Sequence, residues 1–419
     1  MKIKYLTKLS TLGLAVVFLG ACGGGGSSSG TTTTRVGTVS GFGSVFINGI
    51  EYDTSGATIS IDGQSASESD LRVGMVVEVE GSDDGSIGSL TSISNSDELE
   101  GLVISNAVDA TTQTGTMDIL GQTVNISATT IFESKVAGVT QASDVIAGNI
   151  VEVNGYSDSS GNIFATRLEV KAADLASYLA SHPEGIELKG IVGTIDSMAM
   201  TFPLGGISVN YAAAMIDISG GLQEGQYVEV KSTTGLNGSG ELVASRIELE
   251  NNGEMGHHGD ENDEFEIKAM ITQDYANGQF MLDGITVIVD SNTELDGVTT
   301  AQLLAGMMVE VEGQYDANGD LVANKVELED AADAEVKDVI QSIVADGTNA
   351  GTITLMDGTV VIVTPETLMV DDRNNGMMPV QMFNLTHLAV GDYIEVDGHR
   401  DSVTGAITAY KLKRDDLSS

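Results

Sequence analysis

The sequence contains a single cysteine, Cys22, which excludes an intramolecular disulfide. It has no tryptophan, only four prolines and 5% aromatic residues, whereas 51 of its 419 residues are glycine. Apolar residues still make up 41% of the chain, which is enough for packed cores, so we expect a globular protein rather than a disordered one. With so few large side chains, each core must be small.

Basic residues are also scarce. The chain has 19 Lys and Arg residues against 61 Asp and Glu residues, which gives a formal net charge of -42. A field of this sign repels phosphate backbones and attracts cations and basic surfaces. We therefore expect no nucleic-acid partner.

The N-terminal apolar run, residues 12–19, is too short to span a membrane. Three lysines precede it and Leu19-Gly20-Ala21-Cys22 follows it, so the segment has the charged, apolar and small-residue regions of an export signal. The last four residues resemble the lipobox of bacterial lipoproteins. We predict that residues 1–21 are a lipoprotein signal peptide; the alternative is an ordinary secretory peptide with a chance cysteine.

The lipobox resemblance implies that Cys22 is lipidated and becomes the first mature residue, which makes the membrane a partner through the N-terminal lipid. The next residue is Gly23 rather than Asp, and in the family this implies the outer membrane, with the protein facing the periplasm or the cell surface. Residues 22–34 are almost entirely Gly, Ser and Thr, which is typical of a flexible tether.

The rest of the chain is organised around one repeated pattern, a glycine, two residues, and then an apolar-Glu-Val strand start. It occurs five times, at Gly74–Val79, Gly148–Val153, Gly225–Val230, Gly306–Val311 and Gly391–Val396. Successive glycines lie 74, 77, 81 and 85 residues apart, a domain-sized period that exceeds the repeats of solenoids. The sequence therefore predicts five β-modules at 35–95, 99–170, 187–250, 265–330 and 335–414, with a connector helix over 171–186 and an acidic linker over 251–264.

Each module shows the order strand, strand, strand, short helical turn, strand, strand. This order predicts an all-β protein of small five-stranded barrels of the OB type, with an SH3-like barrel as the alternative. The connector is the one convincing helix, Ala172–Ser181, because Leu175, Tyr178 and Leu179 recur at helical spacing and Pro183 ends it. Since every module has its own strand set, we expect each to have its own core.

The whole architecture resembles bacterial lipoproteins built of tandem copies of a small β-domain of unknown function with a G-x-x-V-E-V signature. The resemblance covers all five modules and implies no activity. A basic residue recurs on the fifth strand of four modules and suggests either a repeated ligand site or cross-strand ion pairs with outward glutamates on a solvated face, and we favour ion pairs. These residues are Arg167, Arg246, Lys325 and Lys411.

Three stretches contain residue types that bind metals. Asp316-Ala317-Asn318-Gly319-Asp320 resembles the start of a calcium loop, but the sixth position is Leu321 where an EF-hand needs Gly, so we predict a hairpin turn. His257 and His258 lie beside Asp260, and a Met-rich loop, 377–382, offers thioethers. Neither has ligands spaced on rigid elements, and a solvated linker and a gap-filling loop are the simpler interpretations.

The sequence contains no Gly-framed nucleophile motif and no nucleophile with a recognisable base, so we predict that the protein is not an enzyme and needs no cofactor. We predict a lipid-anchored envelope protein with a structural or binding role and a protein or glycan partner. The alternative is a divalent-metal-binding protein that uses the acidic and His/Met loops, and we expect such binding to be weak.

Overall fold

The computed structural model describes residues 33–47, 50–83, 87–157, 161–250, 264–282, 285–304, 307–316, 320–329, 334–365, 367–371, 373, 383–400 and 404–416. In these segments the chain is nearly all-β, as predicted. Module 1 comprises β1 (Thr33–Phe42), β2 (Val45–Ile47), β3 (Ile50–Asp53), β4 (Thr58–Ile61), β5 (Gln64–Ala66), β6 (Val76–Asp83) and β7 (Ile87–Asn95). Module 2 comprises β8 (Leu99–Asn106), β9 (Gly115–Ile119), β10 (Gln122–Ser134), β11 (Ile150–Ser157) and β12 (Ile163–Ala172).

The helix α1 (Leu175–Leu179) leads into module 3, which comprises β13 (Ile186–Ile191), β14 (Thr201–Leu204), β15 (Ile207–Asn210), β16 (Met215–Asp217), β17 (Tyr227–Ser232), β18 (Leu242–Val243) and β19 (Arg246–Leu249). Module 4 comprises β20 (Glu264–Ala276), β21 (Gln279–Leu282), β22 (Ile285–Ile288), β23 (Glu294–Asp296), β24 (Met308–Tyr315) and β25 (Leu321–Glu329). Module 5 comprises β26 (Ala334–Ala345), β27 (Gly351–Leu355), β28 (Val360–Val363), β29 (Leu368–Asp371), β30 (Tyr393–Arg400) and β31 (Ile407–Asp415). Short 3-10 helices lie at Glu68–Asp70, Ala142–Asp144, Thr300–Gln302 and Leu385–His387, before β6, β11, β24 and β30.

Module 2 shows the barrel topology most simply. Strands β8, β9 and β10 form an antiparallel meander, β10 runs parallel to β12, and β11 pairs antiparallel with both β12 and β8. The strand order is therefore first, second, third, fifth, fourth and back to the first, a closed five-stranded barrel with a helical turn between the third and fourth strands. This is the predicted OB-type arrangement. Modules 1, 4 and 5 repeat it, whereas in module 3 β14, β15 and β18 separate as a small sheet.

The repeated pattern starts the fourth main strand of each barrel. In module 3, Val228 and Val230 are fully buried while Glu229 between them faces outward, as the period of two requires. Burying each valine stabilises the fold by roughly 1.5–3 kcal/mol. The preceding glycine has a positive φ wherever the structure describes it, from +82° at Gly225 to +99° at Gly148 and Gly391, a conformation that favours glycine.

The connector helix is shorter than predicted. It covers five residues, because β12 continues to Ala172, which pairs with Ile150, and the chain becomes helical only after Asp174. The Asp174 side chain caps the helix by accepting a hydrogen bond from the Ser177 N–H at 2.8 Å, and Tyr178 is buried. None of the helices in the described segments has the length and apolar character needed to cross a membrane.

The modules do not have separate cores. Modules 2 and 3 share one cluster of buried apolar side chains and one nine-stranded sheet, in which β8 pairs with β13 through Leu99–Leu188 and Glu100–Glu187. The expectation of an independent core for each module is therefore wrong for these two. The reason is that β8 and β13 extend each other's sheet, so that the apolar residues beneath them meet.

Module 1 contacts three other modules. Its first strand, β1, pairs in parallel with β20 of module 4 through Val36 and Phe265. In module 5, the side-chain amides of Asn349 and Asn384 each donate a hydrogen bond of 3.0 Å to the Phe42 carbonyl. From module 2, Ile131 joins the apolar core of module 1. Thr32–Ser419 accordingly forms one compact unit.

Candidate functional site

The most densely charged buried region of the described chain lies where modules 2 and 3 share their sheet. The strand register places five glutamates directly opposite one another on β10, β12, β11, β8 and β13. This glutamate row consists of Glu133, Glu169, Glu152, Glu100 and Glu187. Like charges in directly opposed positions destabilise a sheet, so the row requires compensating cations.

Basic side chains compensate most of the row. The Lys231 ammonium lies 2.8 Å from a carboxylate oxygen of Glu187. Lys171 pairs with Glu152 and lies 3.9 Å from Glu100. Burial disfavours the charged form of Glu169, but Lys171, Arg167 and Lys135 outweigh that effect and lower its pKa to about 2.

Glu100, at the centre of the row, is compensated less well. Burial raises its pKa to about 8, although Lys171 and a hydrogen bond from the Tyr178 hydroxyl act in the opposite direction. Two further carboxyl groups nearby, the buried Glu98 and the half-buried Glu229, behave in the same way, because desolvation raises the pKa of each to about 7. Burial thus moves the pKa values of three carboxyl groups in this region upward, toward neutral pH.

At one end of the row, three carboxylates come together, from module 1, from the connection between modules 1 and 2, and from module 3. Oxygens of Asp62, Asp97 and Glu187 all lie within 4.8 Å of one another, and we call these residues the junction triad. Asp97 is 3% exposed, and burial followed by the charges of Asp62 and Glu187 raises its pKa well above the ordinary value. Its Oδ1 atom is buried without a hydrogen-bond donor, and the Lys189 ammonium lies 3.7 Å away.

The junction triad has the oxygen ligands that a hard divalent cation prefers. Two ammonium groups compete with such a cation, because Lys189 lies beside Asp97 and Lys231 binds Glu187. When all three carboxyl groups are ionised, three negative and two positive charges leave a small net attraction for a cation. The geometry thus permits a divalent cation, but the lysines already supply most of the compensating charge.

Most of the residues that the sequence singled out as sites lie outside the described residues. These are Cys22, His257, His258, Asp260 and the Met-rich loop. The predicted signal peptide, most of the tether and nearly all of the acidic linker also lie outside the described residues. The described pair, Asp316 and Asp320, closes a hairpin: the Asp316 N–H donates to the Asp320 carbonyl at 2.9 Å, and the Asp320 N–H donates to Asp316 Oδ1 at 3.0 Å.

The basic residues on the fifth strands divide into two groups. Arg246 pairs with Asp217 and Glu248 and is 43% exposed, and Lys325 pairs with Glu312 and Glu327, so ion pairing on a solvated face is right for these two. Arg167 is 3% exposed, and the prediction of a solvated face is wrong there. The reason is that its guanidinium lies against module 1, where it donates a hydrogen bond of 3.3 Å to the Val73 carbonyl.

Sequence reasoning missed the glutamate row and the junction triad. The outward position of each glutamate in the repeated pattern was the available signal. It could not reveal the row, because Glu100 and Glu187 become neighbours only through the pairing of two modules.

The profile of one protein family matches the chain five times. The family is described as a domain of unknown function, DUF5666, and the matched residues are 35–91, 100–169, 189–248, 268–327 and 339–413. The chain belongs to this family. It is a tandem array of five DUF5666 modules, and the matches cover every barrel described above.

Other comparisons add little. No curated protein matches the chain. Two solved structures align with about half of it: Drosophila Unr CSD456, at 11% identity over 55% of this chain and 97% of that one, with a TM-score of 0.13; and a multidomain protein with nucleic acid binding domains from Streptococcus pneumoniae, at 8% identity over 56% and 74%, with a TM-score of 0.16. We draw no conclusion from similarities at these scores.

Proposed function

We propose that this DUF5666 protein is a lipid-anchored protein of the bacterial cell envelope, held in the outer membrane, which presents its five modules in a structural or binding role. The observation that carries the proposal is Leu19-Gly20-Ala21-Cys22, which follows an apolar run and contains the chain's single cysteine. Lipidation with more than one acyl chain gives stable attachment, whereas a single chain gives marginal binding. Between Cys22 and the first strand lies the stretch of Gly, Ser and Thr residues, which separates the anchor from the modules.

A structural or binding role fits the surface better than a reaction does. The chain carries a net charge of -42, and several of its few basic residues, such as Lys171 and Lys231, pair with carboxylates inside the described modules. This charge favours cationic or uncharged partners, such as a basic protein surface or a glycan, over nucleic acid. We assign no catalytic activity and no resident cofactor to the protein.

The test of anchoring is Cys22→Ala. We expect the wild-type protein to incorporate labelled palmitate and to fractionate with the outer membrane, and the variant to lose the label and to be found uncleaved or soluble. The matched control moves the thiol within the same segment, with Ser27→Cys added to Cys22→Ala; it should also lose the label. A Cys22→Ala protein that is labelled and anchored like the wild type contradicts the proposal.

A second candidate function is divalent-cation binding. The junction triad supports it, because it joins three carboxylates and includes a buried Asp97 oxygen that lacks a hydrogen-bond donor. The opposing charges of Lys189 and Lys231 limit the affinity. The His257, His258 and Asp260 stretch and the Asp316–Asp320 turn remain candidates for weaker binding.

A further inference from the structure

The same short strand pairing recurs in all five modules and places one residue opposite another at a fixed position. In each module, a strand segment that follows the third strand pairs in parallel with the fifth strand. The first residue of this segment lies opposite the fifth-strand position that is basic in modules 2 to 5. We call these two residues the docking face of a module. The five faces are Thr58–Ser92, Ile131–Arg167, Met215–Arg246, Glu294–Lys325 and Leu368–Lys411, in modules 1 to 5.

The docking face of module 2 is buried against module 1. Ile131 is 1% exposed, and beside it the Arg167 guanidinium donates to the Val73 carbonyl while the Thr166 hydroxyl donates to the Gly74 carbonyl at 2.7 Å. A Cβ atom on Gly74 would lie only 3.0 Å from Ile131 Cγ1. The repeated glycine therefore also permits close docking of a second module.

The docking face of module 5 is covered too. Leu368 packs against the core of module 1, and the Lys411 ammonium donates to the Thr130 carbonyl of module 2 at 3.1 Å. The faces of modules 1 and 4 begin with the polar residues Thr58 and Glu294, which are exposed to solvent. The faces of modules 2 and 5 thus begin with an apolar residue and are covered by another module. Those of modules 1 and 4 begin with a polar residue and are exposed.

Module 3 is the exception. Its face starts with Met215, which is 60% exposed. Arg246 forms ion pairs with Asp217 and Glu248. These two residues occupy the strand positions of Glu133 and Glu169, which pair with Arg167 in module 2. This face has the apolar residue and the oriented guanidinium of the module 2 face, and no described part of the chain covers it.

A matching receptor loop is exposed in module 5. The receptor in module 1 is Val73–Gly74, and the same dipeptide occurs at the equivalent position as Val390–Gly391. Val390 is 68% exposed, whereas Val73 is 5% exposed. Gly391 has a φ of +99°, similar to the +88° of Gly74, and an added Cβ there would meet nothing within 4 Å.

We propose that the Met215–Arg246 face of one copy docks on the Val390–Gly391 loop of a second copy of this chain, in the manner in which module 2 docks on module 1. The contact joins two different surfaces, so a dimer keeps one free face on one copy and one free loop on the other, and further copies can add head to tail. The net charge of each copy opposes association, and salt screens that repulsion. We therefore expect weak self-association that strengthens from low to physiological ionic strength.

The test uses residues 23–419 of the chain, which contain the whole compact unit and no cysteine. Met215→Cys protein is mixed with Val390→Cys protein and treated with a short bis-maleimide. The control replaces the first partner by Glu294→Cys, the same position in module 4. We expect several-fold more heterodimer with Met215→Cys than with Glu294→Cys, and a fall to the control level when Arg246→Glu is added to Met215→Cys. All three sites are exposed, and circular dichroism checks that each variant folds.

Sedimentation equilibrium of the unmodified protein provides the second measurement. We expect a mass that rises with concentration in the wild type and stays monomeric in Arg246→Glu. Equal heterodimer yields at positions 215 and 294 contradict the proposal, as does a wild type that remains monomeric up to its solubility limit. A crosslink within one chain in the Met215→Cys, Val390→Cys double variant, or homodimers of Met215→Cys alone, also contradicts it.

Discussion

Glu100 of module 2 and Glu187 of module 3 lie directly opposite each other at the point where the two modules join their sheets. Glu187 has a close ammonium partner in Lys231, at 2.8 Å, whereas Glu100 has the Tyr178 hydroxyl and a more distant Lys171. A pair of like charges at a module junction makes the stability of that junction depend on pH.

The first prediction concerns Glu100. Its pKa is raised from an ordinary 4.5 to about 8, so the folded protein holds this proton more tightly than the unfolded chain does. The stabilisation is complete below about pH 4.5 and is lost as the pH rises to about 8. We expect Glu100→Gln to leave stability nearly unchanged at pH 5 and to raise it by about 1–3 kcal/mol at pH 9, visible as a higher melting temperature.

The control for this prediction is Glu294→Gln, which changes an exposed glutamate. It should not reproduce the gain in melting temperature that Glu100→Gln gives at pH 9. Part of the pH dependence should survive in Glu100→Gln, because burial also raises the pKa of Glu98 and Glu229 to about 7. If Glu100→Gln and Glu294→Gln give the same pH profile, the glutamate row is not the source of the effect.

The second prediction follows from the shared core of modules 2 and 3. Residues 187–250 expressed alone lose the β8 strand that pairs with Leu188, and an isolated module of this size buries little apolar surface. We expect a poorly dispersed NMR spectrum for residues 187–250 and a dispersed β-type spectrum for residues 99–250. Equal dispersion of the two fragments would show that module 3 folds independently.

The third prediction compares two glycines of the repeated pattern. Gly74 and Gly391 have similar positive φ values, so alanine at either position costs about 1–2 kcal/mol in backbone strain. Only Gly74 is packed against a second module, with Ile131 Cγ1 and the Thr166 carbonyl each 3.0 Å from an added Cβ. We expect Gly74→Ala to destabilise the protein by about 1–3 kcal/mol more than Gly391→Ala in thermal or urea unfolding. Equal losses would mean that module 1 and module 2 do not dock in solution as described.

The fourth prediction concerns divalent cations. We expect calcium and zinc to bind weakly, with an affinity that falls steeply as ionic strength rises and with little effect on the melting temperature, because diffuse attraction to a strongly acidic protein is screened by salt. Calorimetry on residues 23–419 measures this. Asp97→Asn reports on the junction triad, and His257→Ala with His258→Ala reports on the linker. A salt-resistant stoichiometric site that either variant abolishes would make metal binding a primary function.

The sequence was sufficient to predict the five modules and their barrels, since the repeated pattern fixes where each fourth strand starts and the turn signals separate the others. It was also sufficient to predict the Asp316–Asp320 hairpin, where Leu321 begins a strand. It did not predict how the modules pack on one another, because residues at contacts between modules have the same chemical character as residues that stay exposed. Ile131 and Met215 are both apolar at one register position, and only the first is covered.

The parallel pairing of β1 with β20 and the two amide bonds to the Phe42 carbonyl also determine when the first module can be completed. Its partners in modules 4 and 5 come much later in the chain than β1 itself. When the chain appears from its N-terminus, β1 therefore lacks its β20 partner until Phe265 has appeared, and the Phe42 carbonyl lacks both amide donors until Asn384 has appeared. During that interval an exposed strand edge can pair wrongly with another chain, so if the protein is exported as we propose, its export should depend on factors that delay aggregation.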